Sequence, residues 1–311
     1  MCPAETTVPN GIGSVPVAGL PFELNDGAMI PLGEGQAVTR GWPEAIGGRP
    51  LGVTWHWTVT WDLRVCRQVL GGANPERKGQ ASAHYAVGRS FAEGVDRYVS
   101  LENRSWHAGV HQTLRWDGRA LTDPDHKGSR STVGVETVNI GYATSAGMAG
   151  PDWIHTAGPD GRPLVVQPWT EEQVRMMIEV GREIQRRWPH LGPEDHHGHH
   201  DVCPGHKVDV SGFPFARVLR GIYPEASIYD VWTPTATVVQ RQRALAAAGC
   251  DPGPVDGVWG KDGTVALKRF QAERGLVANG YWSTFVSRAL HAALAERGMD
   301  LAAAGGEPGT R

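Results

Sequence analysis

Three histidines, a thiol, two carboxylates and an amine crowd into one run, Gly198-His199-His200-Asp201-Val202-Cys203-Pro204-Gly205-His206-Lys207-Val208-Asp209. Imidazole, thiolate and carboxylate are the groups that hold transition metals. A catalytic zinc takes three such ligands and keeps a fourth position open for water. The glycines and the proline make the run a strand end followed by a turning loop, and loops on a rigid scaffold are where binding and catalytic groups concentrate. The run needs partners from elsewhere. His56 is one, and with His199 and Asp209 it makes a His/His/Asp set suited to Zn²⁺. Cys203 competes as third ligand, and spacing alone does not exclude His196, His197, His200 or His206.

The elements that must carry these groups are legible in the hydrophobic pattern. Leu51-Gly52-Val53-Thr54-Trp55-His56-Trp57-Thr58-Val59-Thr60-Trp61 is apolar at every odd position, the period of a strand with one buried face, and puts His56 on the other face. Further strands are predicted at Ser82–Gly88, Asp96–Leu101 and Thr132–Val138. The last sets Val133 and Val135 on one face and Glu136 on the other. Between them lies Ser105-Trp106-His107-Ala108-Gly109. Residues 1 to about 50, 111–131 and 141–168 read as irregular excursions rich in turn residues. Thr170-Glu171-Glu172-Gln173 is a capping-box signature that opens a helix to about Trp188. Its apolar stripe is Val174, Met177, Ile178, Gly181, Ile184 and Gln185. A short helix is predicted around Phe215–Ile222. Strands alternating with long loops and a helix make an α/β domain. Three further helices follow at about 236–248, 262–274 and 282–297, the first two closed by Gly249 and Gly275.

Composition narrows the function classes. With 311 residues, 40% hydrophobic and 20% charged, the chain is an ordinary globular protein with room for a large and a small domain. A net charge of -3 gives no reason to expect a nucleic-acid partner. No apolar run approaches the ~20 residues of a membrane span, so membrane insertion is not expected. The 4 cysteines are scattered and form no C-x-x-C pair, which argues against a disulfide framework or a four-thiolate zinc module. The start lacks a basic n-region and an apolar h-region, so no signal peptide is expected and synthesis would be cytoplasmic.

Five segments in order now carry a resemblance: Trp55-His56-Trp57-Thr58, Ser82-Ala83-His84-Tyr85, Ser105-Trp106-His107-Ala108-Gly109, Val133-Gly134-Val135-Glu136, and Gly198-His199 with Asp201, Pro204-Gly205, Lys207 and Asp209. Over about the first 226 residues the chain resembles the zinc-dependent N-acetylmuramoyl-L-alanine amidases of the type-2 amidase family. That family includes phage endolysins and is akin in fold to peptidoglycan recognition proteins. The resemblance implies a mixed central sheet flanked by helices, and one Zn²⁺ held by His56, His199 and Asp209. It makes Cys203 a neighbour of the site. It implies Glu136 as general base, Lys207 as oxyanion stabiliser, and His107, Trp106 and His84 as residues lining the substrate site or supporting it. The chain departs from the family at Trp57, His206 and Val210, where His, Arg and Pro are usual. None of these removes a catalytic group.

The C-terminal segment resembles the three-helix peptidoglycan-binding domain appended to many wall hydrolases, through Val239-Gln240, Leu245, Asp256-Gly257-Val258-Trp259-Gly260, Phe270-Gln271, Gly275-Leu276 and Gly280. The expected organisation is a catalytic domain over 1–226 with an irregular N-terminal arm, a linker at 227–235, the helical domain at 236–297 and a flexible tail at 298–311. The expected activity is hydrolysis of the amide between N-acetylmuramic acid and L-alanine in bacterial peptidoglycan, by a monomer. A phage endolysin reaching the wall through a holin-type pore is the expected setting. A wall-remodelling or recycling amidase is the alternative. A non-catalytic peptidoglycan sensor is disfavoured, since sensors lose a ligand or the catalytic pair and all five groups are present.

Overall fold

The computed structural model of the protein describes residues 14–16, 22–30, 32, 37–71, 81–109, 115–116, 119–120, 128–145 and 147–306. Seven strands form one sheet: β1 (Ser14–Pro16), β2 (Glu23–Asn25), β3 (Gly52–Trp57), β4 (Tyr85–Val87), β5 (Val95–Arg97), β6 (Thr132–Thr137) and β7 (His196–Gly198). Their order across the sheet is β1-β2-β5-β4-β6-β3-β7. The β4, β6, β3 and β7 neighbours are parallel, while β1 and β2, and β4 and β5, run antiparallel. The sheet is therefore mixed, as expected.

Strand β3, one in from the sheet edge, departs from the alternation in one respect: all six of its residues are buried. Parallel strands are covered on both faces, so the polar positions Thr54 and His56 also face protein. On the apolar face Val53, Trp55, Val133 and Val135 pack against helices α2 (Glu171–Arg187) and α4 (Phe215–Ile222). On the other side, helix α1 (Leu63–Leu70) joins Ala86, Tyr98 and Val99 in a second cluster. Helix α2 begins where the capping signature placed it, with the Thr170 hydroxyl accepting from the Gln173 N–H. Gly181 gives the Ile222 side chain of α4 room there, since a Cβ would lie 2.1 Å from its Cδ1.

Several expectations are corrected. The N-terminal arm supplies two sheet strands, β1 and β2. Residues 141–168 contain an antiparallel hairpin, Ile154–Ala157 with Pro163–Val166. The expected loop at 111–131 is described only at Arg115–Trp116, Arg119–Ala120 and 128–131, the first two being paired. The ligand-rich run begins as the expected strand end, but β7 passes into a single helical turn, α3 (His199–Val202), before the chain loops.

The second module consists of α5 (Val238–Ala247), α6 (Lys261–Glu273) and α7 (Thr284–Ala295), closed around Leu245, Leu267, Phe270, Trp282 and Leu290. The expected flexible tail is helical where described. Helix α8 (Leu301–Gly305) buries Leu301 in that core and runs against α5. Nor is 227–235 a free linker. Pro234 and Thr235 are buried and Trp232 packs against both hydrophobic cores, because apolar side chains at the junction find partners on both sides. Among the described residues no helix is long and apolar enough to cross a membrane.

Candidate metal centre

Parallel pairing brings the site together. In the β6–β3 register Glu136 stands opposite His56, so both project from the same face. The β7–β3 register sets Gly198 opposite Trp55 and ends the strand beside His56. His199 opens α3 at that point. The chain then turns through Pro204 and Gly205 and returns at Asp209, whose carbonyl accepts from the His200 N–H at 2.6 Å.

Three donor atoms converge there. His56 Nδ1 lies 3.0 Å from His199 Nδ1 and 3.4 Å from Asp209 Oδ2, and His199 Nδ1 lies 3.1 Å from that same oxygen. Ligands at 2.0–2.2 Å in a tetrahedral zinc site stand about 3.4 Å apart, so the separations fit such an ion. All three residues are buried. Among the described residues this is the group of His, Cys, Asp and Glu side chains close enough to hold a metal, and Cys203 is not in it. Burial and the neighbouring His199 lower the His56 pKa to about 4. Burial works against the Asp209 carboxylate, but His199 and His56 outweigh it and keep the group ionised. Neutral imidazole and ionised carboxylate are the ligand forms a metal requires.

The orientation of His56 is set from behind. Its Nε2 lies 2.9 Å from His107 Nδ1, and His107 Nε2 lies 2.9 Å from the Thr132 carbonyl. A carbonyl only accepts, so His107 carries its proton on Nε2 and offers a bare Nδ1. His56 must then donate through Nε2, which leaves the Nδ1 lone pair free to face the metal position. Burial, with His56 and His84 nearby, holds His107 well below its ordinary pKa and so neutral. Gly134 makes room for this ring: a Cβ there would sit 2.3 Å from His107 Cγ.

Two of the three residues expected to line or support the substrate site take the supporting place. His107 is buried behind His56, and His84 is fully buried, bonded to the Asn103 carbonyl, the Ser105 hydroxyl and the Gly134 N–H. Both support the site from within. Trp106 is 42% exposed, with its Nε1 donating to Thr39 Oγ1.

Glu136 is buried, and its Oε2 has no hydrogen-bond partner. Burial and the nearby Asp209 charge raise its pKa well above the ordinary carboxyl value, partly opposed by Lys207. Lys207 itself is exposed, on the loop between the two ligands.

The other imidazoles of the region have structural partners. His196 accepts from Trp55 Nε1 and meets the Tyr223 hydroxyl, and His197 meets Thr54 Oγ1. His200 Nδ1 donates to the Asp209 carbonyl at 3.0 Å and so pins a candidate ligand. Its Nε2 lies 3.2 Å from Asp201. Burial opposes charge on Asp201, but His200 and Thr284 outweigh it and bring its pKa to about 2. Cys203 is a buried thiol whose pKa burial raises to about 11, so it is not a thiolate at neutral pH.

The family described as N-acetylmuramoyl-L-alanine amidase matches residues 47–209, and a peptidoglycan binding domain matches residues 235–290. Among solved structures, the chain is similar to the N-acetylmuramyl-L-alanine amidase AmiD from E. coli, in complex with anhydro-N-acetylmuramic acid-L-Ala-D-gamma-Glu-L-Lys. They share 20% identity, with 82% of this chain and 93% of that chain covered and a TM-score of 0.45. It is also similar to AmpDH3 from Pseudomonas aeruginosa in complex with anhydromuramic pentapeptide, at 19% identity over 87% of this chain and 100% of that chain, TM-score 0.46. Comparison with curated proteins finds no match.

Proposed function

The chain belongs to the N-acetylmuramoyl-L-alanine amidase family, and from that premise we propose a zinc-dependent hydrolase that works through His56, His199, Asp209, Glu136 and Lys207. The enzyme is a peptidoglycan amidase, and its substrate bond joins N-acetylmuramic acid to L-alanine. The observation that carries the zinc reading is the convergence of three buried donor atoms beside a buried carboxyl with an unpartnered oxygen.

His56 Nδ1, His199 Nδ1 and Asp209 Oδ2 would hold the ion. Bound there, zinc supplies Lewis acidity, lowering the pKa of water and polarising a carbonyl. Glu136 Oε2 takes the proton from the attacking water and returns it to the departing amine of L-alanine. Its raised pKa suits both halves of that exchange, since a base near neutrality also serves as the acid. The Lys207 ammonium faces the charge that grows on the carbonyl oxygen. The indole of Trp106 offers an apolar face to the glycan or stem peptide at the rim. The helical module holds the enzyme to its polymeric substrate and raises the local concentration of cleavable bonds.

The test is digestion of purified cell walls followed by mass spectrometry. Free L-alanine amino termini are expected, and new reducing sugar ends would instead identify a glycosidase. Glu136→Gln should slow release by about 10²-fold or more, while the protein still sediments with walls. A Glu136→Gln enzyme at the wild-type rate refutes the base assignment.

A further inference from the structure

The second module is not merely attached beside the site; its helix α7 touches the turn that carries His199. Asp201 sits in that turn, two residues beyond the ligand, and is fully buried. Its Oδ2 accepts from the Gly198 N–H at 2.8 Å and from the Thr284 hydroxyl at 2.6 Å. Its Oδ1 accepts from the Thr284 N–H at 2.9 Å. One carboxylate thus joins the residue before His199 to the first residue of α7. An N–H in the first turn of a helix has no intrahelical acceptor, and an anion there is favoured by the helix dipole. The pairing therefore serves both helices.

The neighbouring positions continue the contact. Phe285 is buried with Ala108 and Val202 in a small apolar cluster of its own, and its ring lies 6.2 Å from that of His197. Ala108 follows His107, whose ring orients His56. Val202 closes the His199 turn. One helical turn on, Arg288 donates to the carbonyls of Glu194 and Pro193 at 2.7 and 3.0 Å. Thr284, Phe285 and Arg288 lie on one face of α7 and between them reach the segments that hold both imidazole ligands. A single turn such as α3 has no stability of its own, because helix nucleation is unfavourable until several turns have formed. Its direction must come from its surroundings.

We propose that the N-terminus of α7 is a positioning element of the metal centre, with Thr284 and Phe285 as its working residues. The binding module is then part of the catalytic unit. The inference rests on the reading of His56, His199 and Asp209 as metal ligands, and adds a role for residues of the other module.

The experiment uses the full-length protein and reads zinc affinity by competition with a chromophoric chelator, with no substrate present. Melting temperature and amide exchange over residues 198–203 are measured on the zinc-free form. Thr284→Val keeps the N–H and removes the hydroxyl. It should weaken zinc binding by about 10- to 100-fold, the usual effect of losing a group that supports a ligand, and speed exchange in the turn. Thr284→Ser restores the hydroxyl and should restore affinity. Arg241→Gln is the control. Arg241 spans the same seam through other contacts, donating to the Ala157 and Gly158 carbonyls and lying over the Trp282 ring, so its loss should lower the melting temperature and leave zinc affinity unchanged. Should Thr284→Val not fold, Phe285→Leu is read the same way. Wild-type affinity in the folded variant overturns the proposal, as does an equal loss in Arg241→Gln. A wild type that binds zinc yet releases no peptide from walls sinks the amidase reading and leaves this one standing.

Discussion

Replacing His107 by Phe tests whether the chain from the Thr132 carbonyl through His107 to His56 sets the ligand. Phenylalanine fills nearly the same space but accepts no hydrogen bond, so His56 loses the partner of its Nε2–H, now 2.9 Å away. His56 is buried, and a buried donor left unmatched costs about 1–3 kcal/mol. The ring escapes part of that cost by moving its proton to Nδ1 or turning away, and either response spoils the metal-facing lone pair. Zinc binding must reverse the change, so affinity should fall by about 10- to 100-fold, that is about 1.4–2.8 kcal/mol. Chelator competition on the purified protein measures this, with the melting temperature of the metal-free form as a check on folding. His107→Gln, which can accept from His56 and donate to Thr132, should recover part of the loss. A folded His107→Phe protein with wild-type affinity refutes the reasoning. Gln and Phe variants that fall equally would show that ring packing, not the hydrogen bond, is what counts.

Gly134→Ala should act on the same chain from the other side: its Cβ would lie 2.3 Å from His107 Cγ, so the ring must shift and zinc affinity should drop as in His107→Phe. Acid should unfold the metal-free protein early. Burial lowers the pKa of His84, His196 and His197 from 6.5 to about 4, 3 and 4, and each then stays neutral in the fold while protonating in the unfolded chain. Their stabilisation is complete above pH 6.5 and is lost as pH falls towards 4, by about 2 kcal/mol each at pH 5. His200, whose charge Asp201 favours over the opposing effect of burial, offsets part of this. Urea midpoints at pH 7 and pH 5 read the difference, and equal midpoints would contradict it. Deleting residues 236–311 should lower both the melting temperature and turnover of a soluble muropeptide, since Asp201 would lose the Thr284 partner and Phe285 would leave Ala108 and Val202 uncovered. A truncated enzyme with full turnover would return the module to the role of a tether.

Much of the site was legible because its members carry their chemistry locally. His56 is the ionisable residue of a period-2 strand, Glu136 is the same in the neighbouring strand, and His199 and Asp209 share one run with the lysine between them. The sheet and α2 followed from alternation and a capping signature. Other features have no local sign. The role of His107 depends on which ring nitrogen meets which partner across 51 residues of chain. Without that geometry it reads as another residue of the substrate cleft. His84 was expected as support, but its partners carry no local sign: the Trp42 ring is stacked on it, 5.8 Å away. Alternation on β3 suggested one wet face, and only the parallel pairing on both sides explains why Thr54 and His56 are buried as well.

The seam between the modules was the least legible part, and the reason is physical. Motif positions such as Leu245, Phe270 and Gly280 report how a module closes on itself, and the helical module does close on its own core. Thr284, Phe285 and Arg288 contribute instead to a surface shared with a different stretch of chain, so their pattern within α7 is that of an ordinary helix start. Asp201 likewise reads as an N-terminal acid of a short turn, which it is, while its second set of acceptor contacts comes from 83 residues away. Trp232 belongs to both hydrophobic cores. A boundary placed by composition at Thr233-Pro234-Thr235 therefore falls where packing is continuous, and Arg241 crosses it with three hydrogen bonds to backbone carbonyls. Burying a guanidinium, here with its pKa lowered by burial to about 9, is costly unless its donors are matched. That arrangement favours one fixed docking of the two modules, and a fixed docking is what allows a residue of one to hold the metal ligands of the other in place.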